Sequence, residues 1–447
     1  MGIDRERYFL EYELGVQIIE AADELNFDFD ILDSTKLIPE ELVPVQPIGK
    51  MVLNRNPDNF FAETEQVAYR PSNIVSGIDF SDDPLLQGRL FSYHDSQVHR
   101  LGSPNLVQLP INRPVCPFSN NNQDGRMQME IPTSRVNYSP NSLGNNLPAP
   151  VAEADGGFVH YPAQVEGSKI RKRSPSFTDH FSQATLFWNS LSTGEQDRVV
   201  EAAHFELGKV PQPEVKQRML ERFNQVDGEL AKRIAQGLGM PAPTSPAQPN
   251  HGNKSVALSQ AHTTKTAKGR KVAILAADGV DSAQLTTLKM ALSAMHVGVE
   301  IVSKVGGKIK TATGEEIAVD KTFLTTASVF YDAIYIPGGA ASVEALTAHG
   351  EALNFIHEAF KHFKPIAATA EGMDLLIQSD LQGIDLSQKN GKVSDELGVI
   401  TSRDTSDLGT FAQAFIDAIK EHRYWLRPIP GTASVEAVAM KKEQVHA

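Results

Sequence analysis

The chain has 447 residues, with 42 lysines and arginines against 55 aspartates and glutamates and a formal net charge of −13. That length exceeds one ordinary core and predicts about two or three domains, and the acidic balance gives no electrostatic reason to expect nucleic acid as a partner. A single cysteine, Cys116 in RPVCPF, excludes an internal disulfide and a cysteine-based zinc site; it fits an intracellular, cytoplasmic location and is expected to be inert.

The N-terminal stretch MGIDRERYFLEYELGVQIIE is acidic throughout and has no apolar run of signal-peptide length. MGIDRE lacks the serine or threonine of a myristoylation signal, and nothing later approaches the roughly 20 apolar residues of a membrane span, so no membrane is expected. ELGVQII and GKMVLNR are strand candidates; two strands alone make a marginal sheet, so they need partners that this segment does not visibly supply. From PLLQGRLFSY the pattern turns helical. Residues 116–175 are punctuated by SNNNQDG, NSLGNN, LPAP and ADGG and predict a long irregular segment. The one basic run there, KIRKR at Lys169 to Arg173, predicts a solvated linker.

In residues 176–240, SQATLFWNSLS, TGEQDRVVEAAHFEL and PEVKQRMLERFNQVD carry apolar residues at three- and four-residue spacing and predict a small helical unit. Thr193 with Gln196 suggests a capping box, and Pro213 a helix start. Residues 241–269, rich in Pro, Ser, Thr and Ala, predict an exposed linker. Then KVAILAA, VEIVSKV, AIYIPGG, PIAATA and GVITS alternate with helical segments, which predicts a parallel sheet with helices on both faces over residues 270–425, followed by a tail at 426–447.

The chemistry-bearing stretch is RLFSYHDSQVHRLG. On a helix, Arg89, Tyr93 and Arg100 share one face. A cation beside a phenol favours the phenolate, and tyrosinate is among the ligands that haem iron accepts. Spacing alone nevertheless favours the plainer account, a half-buried tyrosine among surface arginines.

The literal motifs go further. VLNRNPDNFFAETEQ, NIVSGIDFSDDPLLQGRLFSYHDSQVHRLG and PINRP resemble the haem catalases, and the order of segments resembles their large-subunit branch across essentially the whole chain. The resemblance implies a multidomain α+β protein. Residues 1–115 would be a remnant of the catalase antiparallel β-barrel with its proximal haem helix and 116–175 a wrapping segment; a helical domain at 176–240, a linker at 241–269 and an α/β flavodoxin-like domain at 270–425 would follow. It implies Tyr93 as proximal ligand to ferric haem, of b or modified type, with Arg89 bonding the phenolate, Arg100 meeting a propionate and Asp83 orienting that arginine. It also implies hydrogen peroxide as substrate, disproportionated to water and oxygen, and assembly as a homotetramer or with complete catalase subunits.

Two departures stand beside it. No histidine precedes His94, so the distal histidine and asparagine of the family are not found ahead of Tyr93. No distal catalytic residue is assigned here, and rapid turnover by these residues alone is not expected, since a positioned histidine is typically worth about a hundred- to ten-thousandfold in rate. His94, His99 and Asn73 are rejected as substitutes, because both histidines share the proximal helix. The competing expectations are an inactive interaction protein and a start codon placed downstream of the native one. The second departure is Arg70 in AYRP, where some large catalases carry a histidine that crosslinks to the tyrosine; an arginine forms no such link.

The C-terminal segment beginning KVAILAADGVD resembles the intracellular-protease and glutamine amidotransferase-like branch of flavodoxin-like folds. In PIAATAEGMDLL, Ala370 stands at the nucleophile position and Glu371 where a histidine often follows, with Asp281 a shortened match to the acidic partner. An alanine attacks nothing. Gly338 and Gly339 of YIPGG are explained by backbone packing, no Walker lysine or GxGxxG follows, and a structural role in packing or folding assistance is expected.

Overall fold

The computed structural model describes residues 9–115, 120–163, 167–168, 170, 172–381, 383–384, 386 and 393–427. Cys116, Lys169 and Arg171 of the KIRKR run and most of the tail fall outside these. The chain divides into two compact units, residues 12–183 and residues 184–447 together with 1–11.

In the first unit, β1 (Leu10–Val16) and β2 (Gln46–Leu53) form a two-stranded sheet. Helix α1 (Pro84–Leu101) starts where Asp83 accepts a hydrogen bond from Leu85 N at 2.8 Å and Pro84 takes a first-turn position that needs no N–H; it ends at Gly102, with φ +75°. Single turns follow at Pro104–Gln108 and Pro110–Asn112. The irregular stretch after them folds back: Asn105 donates to the carbonyls of Asp124 at 2.8 Å and Arg126 at 2.9 Å. Asp79 accepts from Tyr161 N at 2.6 Å, so the 116–175 segment is tied to the α1 region at both ends. In this unit only Leu106, Leu109 and Val136 are buried large apolar side chains among the described residues, whereas Leu14, Leu25, Phe61, Val75 and Phe91 are exposed.

Four helices open the second unit: α2 (Ser182–Ser190), α3 (Thr193–Gly208), α4 (Pro213–Val226) and α5 (Gly228–Gly237). They bury Trp188, Val200, Leu207, Leu220, Leu230 and Ile234 against one another. The capping box sits one residue earlier than the sequence predicts: Ser192 and Glu195 make it, because Glu195 also receives Ser259 Oγ at 2.7 Å and Gln260 N at 2.8 Å. Residues 241–269 are therefore no free linker; Ser255 and Ser259 are buried and Ser255 N donates to Ser190 Oγ at 2.8 Å. Helix α5 went unrecognised inside the longer apolar pattern. It begins because Asp227 leaves helical geometry and accepts from Glu229 N and Leu230 N, both at 3.0 Å.

The rest of the unit is an α/β sandwich. In chain order it comprises β3 (Lys271–Leu275), α6 (Ser282–Ala294), β4 (Gly298–Ser303), β5 (Gly307–Lys310), β6 (Glu316–Val319), β7 (Lys321–Thr322) and β8 (Ala333–Ile336). There follow α7 (Ala340–Thr347), α8 (Gly350–Lys361), β9 (Ile366–Thr369), α9 (Gly372–Gln378), β10 (Ser394–Glu396), β11 (Val399–Ser402) and α10 (Leu408–Glu421). The main sheet runs β10-β11-β9-β8-β3-β4-β7 and is parallel except at β10; β5 and β6 pair apart from it. All five predicted strands are present, in the order 2-1-3-4-5. The two-residue period sends Ala273 and Leu275 to one face, against Leu346, Phe355 and Leu376, and Val272 and Ile274 to the other, against Leu288, Phe411 and Phe415.

Candidate functional site: a tyrosine on helix α1

Tyr93 lies mid-helix on α1, 36% exposed, with its ring edge-on to Tyr69 at 6.1 Å between centroids. Its hydroxyl has no hydrogen-bond partner among the described residues. Arg89, one turn earlier, is exposed and likewise makes no described bond, so no hydrogen bond joins it to Tyr93. Asp83 caps α1 and makes no described bond to either arginine.

Arg100 is the most engaged of the four. It donates through Nε and Nη2 to Gln97 Oε1 at 2.9 and 2.8 Å, through Nη1 to Glu65 O at 2.5 Å, and through Nη2 to Val67 O. A guanidinium has five N–H donors, so one on Nη1 is left. These bonds pin the segment after the π-helical turn Phe61–Glu65 to α1, and Gln97 adds a bond to Tyr69 O at 3.2 Å.

From the other side, Asn112 of PINRP fixes the same segment. It accepts from Ala68 N at 2.8 Å and donates to Gln66 O at 2.8 Å and Leu106 O at 3.1 Å. Sequence reasoning treated PINRP as a signature and missed this role; a side-chain amide able to bridge two loops was the available signal. The clamp delivers Tyr69 to Tyr93 and sets Arg70 Nη1 3.0 Å from His94 Nδ1. Burial pushes the Arg70 pKa down, and its buried Nε is unpartnered. His94 therefore sits against Arg70.

What the arrangement offers a cofactor is an unpartnered phenol, an unpartnered arginine four residues before it and a second arginine with one donor left. A phenol that ionises is a known haem ligand and guanidinium a carboxylate partner, so the donor set fits ferric haem. No group of three or more His, Cys, Asp and Glu side chains able to hold a metal occurs among the described residues, and no described helix is long and apolar enough to cross a membrane.

The second candidate, the strand-to-helix elbow after β9, is closed. Ala370 has φ +47°. Glu371 accepts from Gly339 N at 3.0 Å, and Gln284 Oε1 accepts from Gly338 N at 2.8 Å and Thr369 Oγ1 at 2.6 Å, so the amides that might stabilise a developing anion already have partners. Asp281 caps α6, accepting from Gln284 N at 2.9 Å, and does not face a base.

Three family models match in sequence: "Catalase" over residues 2–145, "Catalase-related immune-responsive" over residues 174–238, and "C-terminal domain found in long catalases" over residues 268–428. The chain is 50% identical over 420 residues to Catalase-2 of Bacillus subtilis, covering 94% of itself and 59% of that protein. To Catalase HPII of Pseudomonas aeruginosa it is 43% identical over 422 residues, 93% of itself and 57% of the relative. To Catalase-1 of Neurospora crassa it is 43% identical over 443 residues, with coverages of 96% and 60%. It thus spans roughly three fifths of the length of these relatives.

Proposed function

The chain belongs to the catalase family in its large-subunit form, and from that premise we propose that it takes part in hydrogen peroxide disproportionation by holding haem from the proximal side through Tyr93. The observation that carries the reading is the unpartnered Tyr93 phenol on α1 with Arg89 one turn before it. Bound ferric haem supplies the two-electron redox chemistry that peroxide disproportionation requires. To serve as ligand, Tyr93 gives up its hydroxyl proton, and a guanidinium four residues earlier on the same helix face favours the anion. Arg100 keeps the 65–67 segment against α1 and has one N–H left for a haem carboxylate. Asp83 fixes where α1 begins and hence the register of Arg89. With arginine at position 70, no imidazole crosslink to Tyr93 forms.

No residue is assigned to move the peroxide proton. We propose that this base is supplied by a complete catalase subunit assembled with the chain. Such a partner fits one observation: residues 12–183 bury only three large apolar side chains among those described, far too few to close a core alone. In this reading the C-terminal domain is flavodoxin-like by its strand order and structural, with no elbow nucleophile.

The test is the visible spectrum of the purified chain after reconstitution with haem, beside its Tyr93→Phe variant. A ferric tyrosinate signature present in the first and absent from the second is expected. The same spectrum in both would overturn the ligand assignment, and absence from both would leave the chain as an assembly partner only.

A further inference from the structure

Away from α1, the helical and C-terminal parts of the second unit enclose a cleft of about 250 Å³ whose walls include Arg198, His362, Lys364, Arg423, Phe363 and Trp425. Four of these six carry or can carry positive charge and none of the lining residues is acidic, in a chain whose net charge is −13. The approach is fixed by backbone: a Cβ on Gly194, in the first turn of α3, would lie 2.6 Å from Trp425 O. Arg198, also on α3, reaches across to Lys361 O at the end of α8.

Two of the cations have carboxylate partners. Arg198 pairs with Glu201 at 2.7 Å, and His362 with Glu358 at 3.4 Å. The other two do not. Lys364 Nζ donates to Ser328 O at 2.5 Å and Tyr331 O at 2.7 Å, and Arg423 Nη1 to His422 O at 2.8 Å; no carboxylate is bonded to either among the described residues. Burial pushes the His362 pKa down, and Arg198, Lys364 and Lys361 push it the same way against Glu358. Asp332 acts on Lys364 and Arg423 from behind the cleft wall without bonding to either, so the groups that line the cleft are basic and its countercharges lie outside the lining. Phe363 and Trp425, centroids 5.4 Å apart, form the apolar part of the wall, with the Arg198 guanidinium 4.6 Å over Phe363.

The geometry points to a binding site for a small aromatic anion, a single ring bearing a carboxylate or phosphate, between the helical and C-terminal domains. Size selects one ring: a cavity of about 150 Å³ admits benzene, which leaves room here for one anionic group. The two cations without a bonded carboxylate select charge, and the aromatic wall selects the ring over a bare inorganic ion. The site is independent of the haem reading.

Phenyl phosphate is the probe, titrated calorimetrically into the full chain, with inorganic phosphate and benzyl alcohol as comparators. We expect phenyl phosphate to bind at least about tenfold more tightly than either, the gain expected of one charge-assisted hydrogen bond or one aromatic contact. Arg423→Gln should weaken it by about tenfold or more, while Lys361→Gln, outside the lining, changes it less than about twofold. Of the two tryptophans, Trp188 is buried in the helical core, so ligand-dependent quenching should vanish in Trp425→Phe. Should Arg423→Gln fail to fold, quenching that weakens as salt is raised, and is lost in Trp425→Phe, carries the same test. The proposal is overturned by no heat and no quenching with millimolar phenyl phosphate, by equal affinity for inorganic phosphate, or by binding undiminished in both variants.

Discussion

Raising the pH from about 7 to about 9.5 is expected to stabilise the C-terminal domain, because Lys364 is buried there without a bonded carboxylate. Lys364 is 3% exposed and Arg427 2%. Burial, then the nearby Arg423, lowers the Lys364 pKa from 10.5 to about 8 against the pull of Asp332 and Glu358. Burial also lowers that of Arg427, against Tyr424 and Asp395. In both cases the folded state holds the proton less tightly than the unfolded chain. Each group therefore costs stability while it is charged, and for Lys364 the cost is relieved as pH climbs from the folded value toward the unfolded one. At about 1.4 kcal/mol per pKa unit, Lys364 returns about 2 kcal/mol over that range, whereas the Arg427 guanidinium, which donates to the Phe360, Lys364 and Leu397 carbonyls, keeps its proton throughout. The window is clean. Burial pushes the Tyr331, Tyr335 and Tyr424 pKa values up, so their unfolded forms ionise first and oppose folding only near pH 10 and above. His362 and His422, both lowered, have made their contribution by about pH 7. Urea unfolding followed by Trp425 fluorescence reads the slope, and Lys364→Met should lose most of the rise. A variant with the full rise, or a parent chain whose stability falls over this range, would refute the reasoning.

Glu195→Ala removes bonds to Ser192, Ser259 and Gln260 together, and should destabilise the helical domain by about 2–3 kcal/mol and raise amide exchange across 255–262. Burial alone would raise the Glu195 pKa, but those bonds outweigh it, so the same stabilisation should fade in the parent as pH falls through the lowered value. Asn112→Ala deletes three bonds to the 66–68 and 106 backbone; reconstituted haem should keep a tyrosinate spectrum but leave several-fold faster, whereas an unchanged off-rate would remove Asn112 from the positioning of the site. Ala370→Gly should leave the melting temperature unchanged or slightly raised, and Ala370→Val should cost about 2 kcal/mol or more, because a β-branched side chain at φ +47° is strained; equal melting of the two would show that the turn relaxes.

The five main strands were legible because Val- and Ile-rich runs buried on both faces keep their apolar signal without help from context. Short strands such as β5 and β6 were missed, as each is only four residues long and largely exposed or half-buried. The Ser192–Glu195 cap and the docking of 255–262 were not readable because a buried carboxylate with ligands from 64 residues away leaves no local pattern. Around Tyr93, the helix was legible in the pattern that begins at PLLQGRLFSY, whereas its Asp83 cap and Gly102 terminus were not read from it. The clamp on residues 65–70 did not, since its acceptors are backbone carbonyls, which carry no sequence signature at all.

The elbow after β9 shows how a strained geometry persists without chemistry. A positive φ at a non-glycine residue usually prompts a search for function. Here packing alone requires it. Ala370 N is held by Ser402 O at 2.9 Å and Ala370 O by Arg403 at 2.9 Å. Two residues on, a Cβ at Gly372 would lie 2.3 Å from Ile336 O, so α9 begins in backbone contact with the end of β8. Gly339, with φ +115°, is similarly locked, a Cβ there falling 2.3 Å from Gly279 O. With the chain fixed on both sides, the turn between β9 and α9 has no room to adopt an ordinary conformation, and Glu371 and Gln284 fill the amides it exposes. The strain at Ala370 is thus a consequence of joining strand to helix at this separation.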